Sequence, residues 1–245
     1  MATVNGSDSA EYVYKGRTPD GRTGVWPLRL GHEVAVHGSA LLTHHALLPD
    51  GSSVFRRTLP ATAHGIRSYA ACRLDNEIRS LVRLAVAFPG ADPAPFPRLL
   101  GYDVDAETPS ALVSAYRGKP AATVAGNLLG RQRTDFVGSL FWALAHLDDA
   151  GIVHGAVGLP SLYLDGAAVQ FITFEDAVLR GEGMPGRRRA DPRDDVLDAG
   201  LVLYEVFAGA PARRDAVDLA EVPVLERLIA DVFASSPGAR PSRRQ

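Results

Sequence analysis

The first half of the chain alternates short apolar runs with turn-forming residues, a pattern typical of β-structure. Runs at Val34–Val36, Leu41–Leu48 and Val54–Leu59, with a Pro-Asp-Gly turn between the last two, predict a three-stranded antiparallel meander. Two further strands are predicted at Arg98–Val104 and Ala111–Tyr116.

Residues 1–30 are polar and Gly-rich apart from two small patches, Tyr12–Tyr14 and Val25–Leu28. The patches flank Pro19-Asp20-Gly21, which favours a short hairpin because Asp-Gly is a turn former. A disordered start that becomes ordered near Trp26 fits the pattern equally well.

A helix is predicted after the meander. Leu74, Ile78, Leu81, Val82 and Ala85 recur with the period of one helical face. The Pro/Gly-rich segment that follows ends this helix.

The second half has mostly helical patterning. Helices are predicted at Asp135–Ala150, ending at Gly151, and at Leu197–Phe207, ending at Gly209. Between them, Leu162–Leu164 and Val169–Ile172 predict a hairpin with an Asp-Gly turn. Arg117–Pro120 is interpreted as a hinge between the two halves.

Composition excludes several functional classes. The 26 basic and 28 acidic side chains leave a net charge of −2, without the basic excess of a nucleic-acid binder. The one cysteine, Cys72, excludes an internal disulfide and a zinc site made of several thiolates. No segment approaches the roughly 18 apolar residues of a membrane span. These features predict a soluble, cytoplasmic protein.

Four segments resemble motifs of one known family. Gly151–Ala156 stands where a protein kinase has its catalytic-loop His-Arg-Asp, and Val169–Glu175 matches the strand that leads into Asp-Phe-Gly. Asp195–Glu205 is similar to the buried helix of the larger kinase lobe, and Pro237–Ser242 to the late Pro-x-x-Arg-Pro-Ser segment. The chain resembles a degenerate bacterial-type serine/threonine protein kinase domain.

The resemblance implies an α+β, bilobal, protein kinase-like fold with a β-rich N-lobe and a mostly helical C-lobe. The implied boundaries are an N-terminal extension at residues 1–30, the N-lobe at residues 31–117 and the C-lobe at residues 118–245.

The family's catalytic positions hold unsuitable residues. The resemblance places Ala156 at the catalytic base, Ser161 at the metal-binding Asn and Thr173 at the metal-binding Asp. All three side chains are uncharged and poor Mg²⁺ ligands. The resemblance therefore implies a pseudokinase with no catalytic residue, no metal site and no cofactor.

Five residues are candidates for the cleft that the resemblance implies. Arg57 stands at the family's pocket lysine and Glu77 at its ion-pairing glutamate, so these two side chains could pair. Phe55 faces the same side of its strand as Arg57 and would partly fill an adenine pocket. Ser114 and Tyr116 complete the ligand candidates, and ATP binding is expected to be weak or absent.

Two alternatives remain open at this cleft. A one-residue shift in register would place Arg56 at the lysine position and remove the role of Phe55. The pair of Arg57 and Glu77 serves either structure alone or phosphate positioning. The phosphate-loop segment, residues 36–43, holds one glycine where a kinase needs several.

Four other positions match the structural framework of the family. Leu81, His154 and Phe174 correspond to members of the apolar spine, and Asp195 to the buried aspartate that caps the catalytic-loop backbone. These are structural assignments and imply no chemistry.

Other polar and aromatic features have two interpretations each. Glu175–Asp176 could hold a cation or none, and Arg187–Arg189 could meet a phosphate or simply be solvated. His44–His45 point to opposite faces of a strand and cannot easily share a metal. Trp142 is assigned to the core, and Trp26 either packs on the sheet or faces a partner.

Three functions are compatible with these observations. The leading hypothesis is a catalytically inactive scaffold or allosteric regulatory subunit that binds a protein partner, such as an enzyme encoded nearby. The second is a sensor that binds a nucleotide or small ligand without turnover, and the third is an atypical transferase. Neither nucleic acid nor membrane is an expected partner, and Arg213–Phe233 and the N-terminal extension are the predicted partner-binding regions.

Overall fold

The computed structural model describes residues 11–61, 64–90, 95–182 and 191–212, with the backbone alone for residues 64–67. In the described ranges, no helix is long and apolar enough to cross a membrane.

The chain divides into two compact units by its internal contacts. Unit 1 runs to Ala115 and also includes Thr173–Glu175, whereas unit 2 comprises Tyr116–Ile172 and the chain from Asp176 onward.

Unit 1 is built around a closed barrel of six antiparallel strands, in the order β1-β2-β3-β4-β6-β5. The strands are β1 (Glu11–Arg17), β2 (Thr23–Glu33), β3 (Leu42–Leu47), β4 (Ser53–Thr58), β5 (Leu99–Asp103) and β6 (Ser110–Ser114). Closure is made by β1 and β5, through the pairing of Arg17 with Tyr102.

The N-terminal patches form a hairpin, so the alternative of a disordered start is wrong for the described residues. Tyr14 pairs with Trp26 across β1 and β2, and the turn closes where the Gly21 N–H donates to the Thr18 carbonyl. Trp26 packs against the barrel core, as one of its two predicted placements required. Tyr14 and Trp26 contact each other with ring centroids 5.7 Å apart.

The barrel interior is the hydrophobic core of unit 1. Alternate positions on the strands point inward. They supply a buried cluster of Tyr14, Leu28, Ala46, Val54 and Leu112. Because every strand has two neighbours, the backbone groups of the sheet are paired around this core.

Helix α1 (His64–Ala87) packs on the outside of β5 and β6. Its predicted apolar face is confirmed at Leu74, Ile78 and Leu81, each at most 4% exposed. Val82 is only half-buried, and Leu84 takes the next core position instead.

Unit 2 combines helices with short strands. Its elements are β7 (Lys119–Pro120), α2 (Ala121–Val124), α3 (Arg131–Asp149), β8 (Ile152–Val153), β9 (Leu162–Asp165), β10 (Ala168–Phe171), β11 (Val178–Leu179) and α4 (Pro192–Ala208), with 3₁₀ turns at Ala125–Asn127 and Leu159–Ser161. The strands form two small sheets, β10-β9-β7 and β11-β8. Helix α3 packs on β10, β8 and α4.

Local sequence explains the ends of α4. Asp191 accepts a hydrogen bond from the Arg193 N–H at 2.9 Å, and Pro192 occupies the first helical turn. Gly209 ends the helix in the left-handed conformation. On α3, the assignment of Trp142 to the core is wrong, because this side chain is 49% exposed and its ring lies tilted against that of His146.

The predicted bilobal kinase-like fold, with a β-rich N-lobe and a mostly helical C-lobe, is wrong. Residues 11–33, mostly assigned to an extension, supply two strands that close the sheet into a barrel. Val34–Val36, predicted as the first strand, lies outside the strands. The described part of unit 2 contains five short strands beside three α-helices.

Candidate functional site

A buried cluster of charged side chains lies in unit 1. The charged cluster consists of Arg57, Arg73, Glu77 and Glu175, whose residues are 0%, 8%, 1% and 3% exposed. Charged groups are seldom buried unless they are paired. This cluster is therefore the first candidate for a functional site.

Two elements position three members of the charged cluster. Strand β4 turns Val54 into the barrel and Arg57 to the opposite face, since Arg57 lies three positions after Val54 and successive side chains alternate between the faces. Arg73 and Glu77 are four residues apart on α1 and lie on one face of that helix. The helix thus presents one positive and one negative side chain, and the negative one, Glu77, pairs with Arg57 on the strand.

Arg57 is held by hydrogen bonds from both terminal nitrogens. Its Nη1 donates to Oε1 of Glu77 at 2.7 Å, so the ion pair considered from the sequence forms. Its Nη2 donates to Ser39 Oγ at 2.9 Å and also to Oε1 of Glu175. The guanidinium therefore bridges two carboxylates.

Glu175 is the acceptor on which the other groups converge. Its Oε2 accepts from the Ala40 N–H at 2.8 Å and from Arg73 Nη1 at 3.3 Å. The Ser39 hydroxyl donates to Oε1, and the Glu175 carbonyl accepts from Asn76 Nδ2 at 3.0 Å. Two arginines, a hydroxyl and a backbone N–H are a donor set that would suit an oxyanion, and here the chain's own carboxylate fills it.

Burial controls the electrostatics of Glu77. It raises the pKa of the Glu77 carboxyl from its ordinary value near 4.5 to about 7. The Arg57 guanidinium and the Phe174 N–H lower this pKa, while the Glu175 carboxylate raises it further. With both glutamates ionised, the charged cluster contains two positive and two negative groups.

Comparisons with protein-family models and with curated proteins give no match. No protein-family model matches this chain. No curated protein matches it either. The expected membership of the protein kinase family is therefore corrected by both the fold and the sequence comparisons, and the pseudokinase description falls with it.

The three positions assigned to lost catalytic groups belong to different units. Ser161, in unit 2, donates from Oγ to the Gly158 carbonyl at 2.9 Å and accepts the Gly158 N–H at 3.1 Å. Ala156 is half-buried in the same unit, whereas Thr173 belongs to unit 1. Ser161 thus shapes a 3₁₀ turn.

The remaining ligand candidates are also separated. Phe55 lies on the same face of β4 as Arg57 and contacts His45, with ring centroids 6.1 Å apart. Ser114 Oγ accepts the Arg98 N–H at 2.9 Å. Tyr116 lies in unit 2, where its ring packs on that of Tyr163.

The predicted structural residues are all buried. Leu81 faces the core side of α1, and Phe174 packs on Phe96 with ring centroids 5.8 Å apart. In unit 2, His154 packs on Phe171 with ring centroids 4.7 Å apart. Their burial supports packing roles within each unit.

Asp195 organises a turn in unit 2. Its carboxylate accepts the His154 N–H at 2.6 Å and the Gly155 N–H at 2.8 Å. Burial raises the pKa of Asp195 to about 6, against the lowering effect of these two hydrogen bonds.

Sequence reasoning missed Arg73 and Ser39, and it considered Glu175 only as a cation ligand or, with Asp176, as a carboxylate of an atypical transferase. A signal for Arg73 existed, because it precedes Glu77 by one helical turn on the predicted α1. Nothing local indicated that Glu175, far along the chain, would bind Arg57. In the described ranges, no group of three His, Cys, Asp or Glu side chains could hold a metal ion.

Three segments considered from the sequence cannot be placed. Arg187–Arg189, Arg213–Phe233 and Pro237–Ser242 lie outside the described residues.

Proposed function

We propose that the chain is a non-catalytic protein-binding module that acts as a scaffold or as an allosteric regulatory subunit. The observation that carries this proposal is that the side chains of the charged cluster form ion pairs with one another. Arg57 and Arg73 are the buried cations best suited to an anionic substrate, and the Glu175 carboxylate already engages both. Chemistry there would require a ligand to displace an internal carboxylate.

This geometry argues against a nucleotide sensor that uses Arg57 and Glu77. Neither residue exceeds 1% exposure, and each is bonded to the other. It also argues against an atypical transferase built on Glu175, because a carboxylate held by two guanidinium groups is a poor base.

An exposed apolar surface supports the protein-binding role. We define the hairpin patch as Val13, Val25 and Pro27, on the outward face of the β1–β2 hairpin. Val13 and Val25 are 53% and 56% exposed, and Pro27 is exposed opposite Val13. Lys15 lies opposite Val25 and adds a positive charge beside the patch. Adjacent exposed apolar residues with a polar rim are typical of protein-binding surfaces.

The test compares three versions of the full chain as bait in the native host. These are wild type, the double variant Val13→Asp/Val25→Asp, and the control Thr23→Asp on the same exposed face. Each partner recovered is purified and its affinity is measured directly. We expect wild type and control to bind alike and the double variant to bind at least about tenfold more weakly, since an interface core loses energy when it is charged.

Two results would contradict the proposal. One is equal affinity of the double variant and the control for every purified partner. The other is transfer of labelled phosphate from ATP, with Mg²⁺ or Mn²⁺, that is abolished by Arg57→Ala. A thermal-shift titration with ATP, ADP and GTP separates the sensor hypothesis, because a ligand of the folded state must raise the unfolding temperature.

A further inference from the structure

A second pair of polar side chains lies on the inward face of the barrel. His44 on β3 is directly opposite Arg56 on β4. His44 shares its face with Ala46, two residues away, and Arg56 lies opposite Leu112 on β6. Ala46 and Leu112 belong to the buried core cluster, so His44 and Arg56 point the same way as that cluster.

Neither of these side chains has a hydrogen-bond partner for its buried nitrogen. Nε of Arg56 and Nδ1 of His44 are both buried and make no hydrogen bond to the described residues. The Arg56 guanidinium lies over the Tyr12 ring, 4.9 Å from its centroid, and no carboxylate of the described part of the chain pairs with it. Buried donors in folded proteins are normally satisfied, so such a pair requires an explanation.

The neighbouring arginine is paired with carboxylates of the chain itself. Arg57, on the opposite face of β4, bonds to two carboxylates and is fully buried. Arg56 and His44 are both partly exposed as residues, although Nε of Arg56 and Nδ1 of His44 are themselves buried. Arg56 is therefore open to a partner from outside the chain, whereas Arg57 is not.

The nearby groups define what that group can be. Tyr14 is not a competing partner, because its hydroxyl donates to the Ser110 carbonyl at 3.0 Å. Burial raises the pKa of Tyr14 to about 12, so its hydroxyl carries no negative charge near neutral pH. Glu33, the cross-strand neighbour of His44, is exposed. Asp103 on β5 also acts on Tyr14, and its Oδ1 accepts from the N–H groups of Asp105 and Ala106.

We propose that Arg56 and His44 form a binding site for an oxyanion, a carboxylate or a phosphate, on the inner wall of the barrel. The guanidinium is a planar fork that matches two oxygens of such a group, and the Tyr12 ring supports it from one face. The imidazole of His44, on the neighbouring strand β3, donates to a third oxygen of the oxyanion or to one of the two oxygens that the guanidinium binds. This site is separate from the charged cluster and does not depend on the proposed protein-binding function.

The test uses inorganic phosphate and acetate as probes, with chloride at matched ionic strength as the reference. Binding to the full chain is measured by the shift in unfolding temperature and by isothermal titration calorimetry. We expect phosphate, acetate or both to bind wild type, and the two titrations distinguish the preferred oxyanion. Arg56→Met should weaken the affinity at least about tenfold, because it removes the fork. The matched control is Arg29→Met, since Arg29 is exposed on the outward face of β2 and should leave the affinity unchanged.

Two further variants keep the test decisive if Arg56→Met fails to fold. Arg56→Lys retains the charge without the fork and should weaken binding by a smaller factor. Glu33→Gln removes the opposing charge and should strengthen it. The proposal is overturned if neither probe binds more strongly than chloride. It is also overturned if Arg56→Met and Arg29→Met change the affinity equally, since that pattern marks a general effect of surface charge.

Discussion

Two consecutive arginines on β4 have opposite surroundings because a strand turns successive side chains to opposite faces. Arg57 faces α1 and the Glu175 carboxylate and is fully buried. Arg56 faces the barrel interior and lies over the Tyr12 ring. Of these two consecutive residues, Arg57 is a cation that stabilises the fold, and Arg56 is a cation proposed to bind a ligand.

Replacing Glu175 with Gln tests how strongly the charged cluster depends on its bridging carboxylate. The variant leaves the Arg57 and Arg73 guanidinium groups facing one carboxylate, that of Glu77. Removing one partner of a buried ion pair typically costs about 3–5 kcal/mol. We expect a loss of that size in the free energy of unfolding, measured in urea as a lower midpoint with an unchanged slope.

The control for Glu175→Gln is Asp105→Asn. Asp105 pairs with Arg17 at 3.3 Å, but both side chains are more than half exposed. A pair of this kind contributes at most about 1 kcal/mol. Equal losses in the two variants would contradict the structural role assigned to Glu175.

At the scale of elements, the barrel depends on close contact between a tryptophan and two strands. Trp26 on β2 lies directly against Gly24 and Gly101, and a Cβ atom at either glycine would overlap the indole ring. Glycine is required at these positions for space. The ring fills the region where β2 and β5 approach the barrel core.

Gly101→Ala should therefore destabilise unit 1. Inserting a methyl group into a packed region typically costs about 1–3 kcal/mol. The control is Gly138→Ala on α3, where the new Cβ would meet nothing within 4 Å. That variant should stabilise its helix by roughly 0.5–1 kcal/mol, because alanine is the better helix former. The two free energies of unfolding should change in opposite directions, and a loss of stability in Gly138→Ala or none in Gly101→Ala would refute this account.

Strong periodicity predicted elements well. The face of Leu74, Ile78 and Leu81 predicted α1, and the Asp165-Gly166 turn predicted the β9–β10 hairpin. Val34–Val36 was assigned to a strand because its residues are β-branched or small, but local propensity is weak evidence when tertiary pairing decides. Strand β2 ends at Glu33 instead.

At the scale of the whole molecule, long-range pairing limited the prediction. The closing contact of the barrel joins Arg17 to Tyr102, and the charged cluster joins Arg57 to Glu175. Neither pair leaves a periodic signal in one sequence, because the partners are far apart along the chain. The kinase-like interpretation arose from short motifs in a familiar order, and such motifs are compatible with more than one arrangement of strands.

The two buried acids with raised pKa values predict how stability changes with pH. Glu77 lies in unit 1 and Asp195 in unit 2, and burial raises their pKa values to about 7 and about 6. An acid with a higher pKa in the folded state binds its proton more tightly there. Its stabilising contribution is therefore complete below the unfolded pKa and is lost as the pH rises through the folded pKa. For Glu77 this window extends from 4.5 to about 7.

Glu77→Gln isolates the contribution of this one residue, because glutamine has nearly the same shape and does not titrate. Between about pH 5 and about pH 8, wild type should lose on the order of 3 kcal/mol more stability than the variant. The free energy of unfolding is measured in urea at several pH values, with Glu107→Gln as an exposed control that should follow wild type. Parallel profiles for wild type and Glu77→Gln would mean that Glu77 remains ionised throughout. In that case the lowering effect of Arg57 on the Glu77 pKa would exceed the raising effect of burial. Glu77 would then stay ionised and paired with Arg57 at every pH tested, instead of gaining a proton as the pH falls.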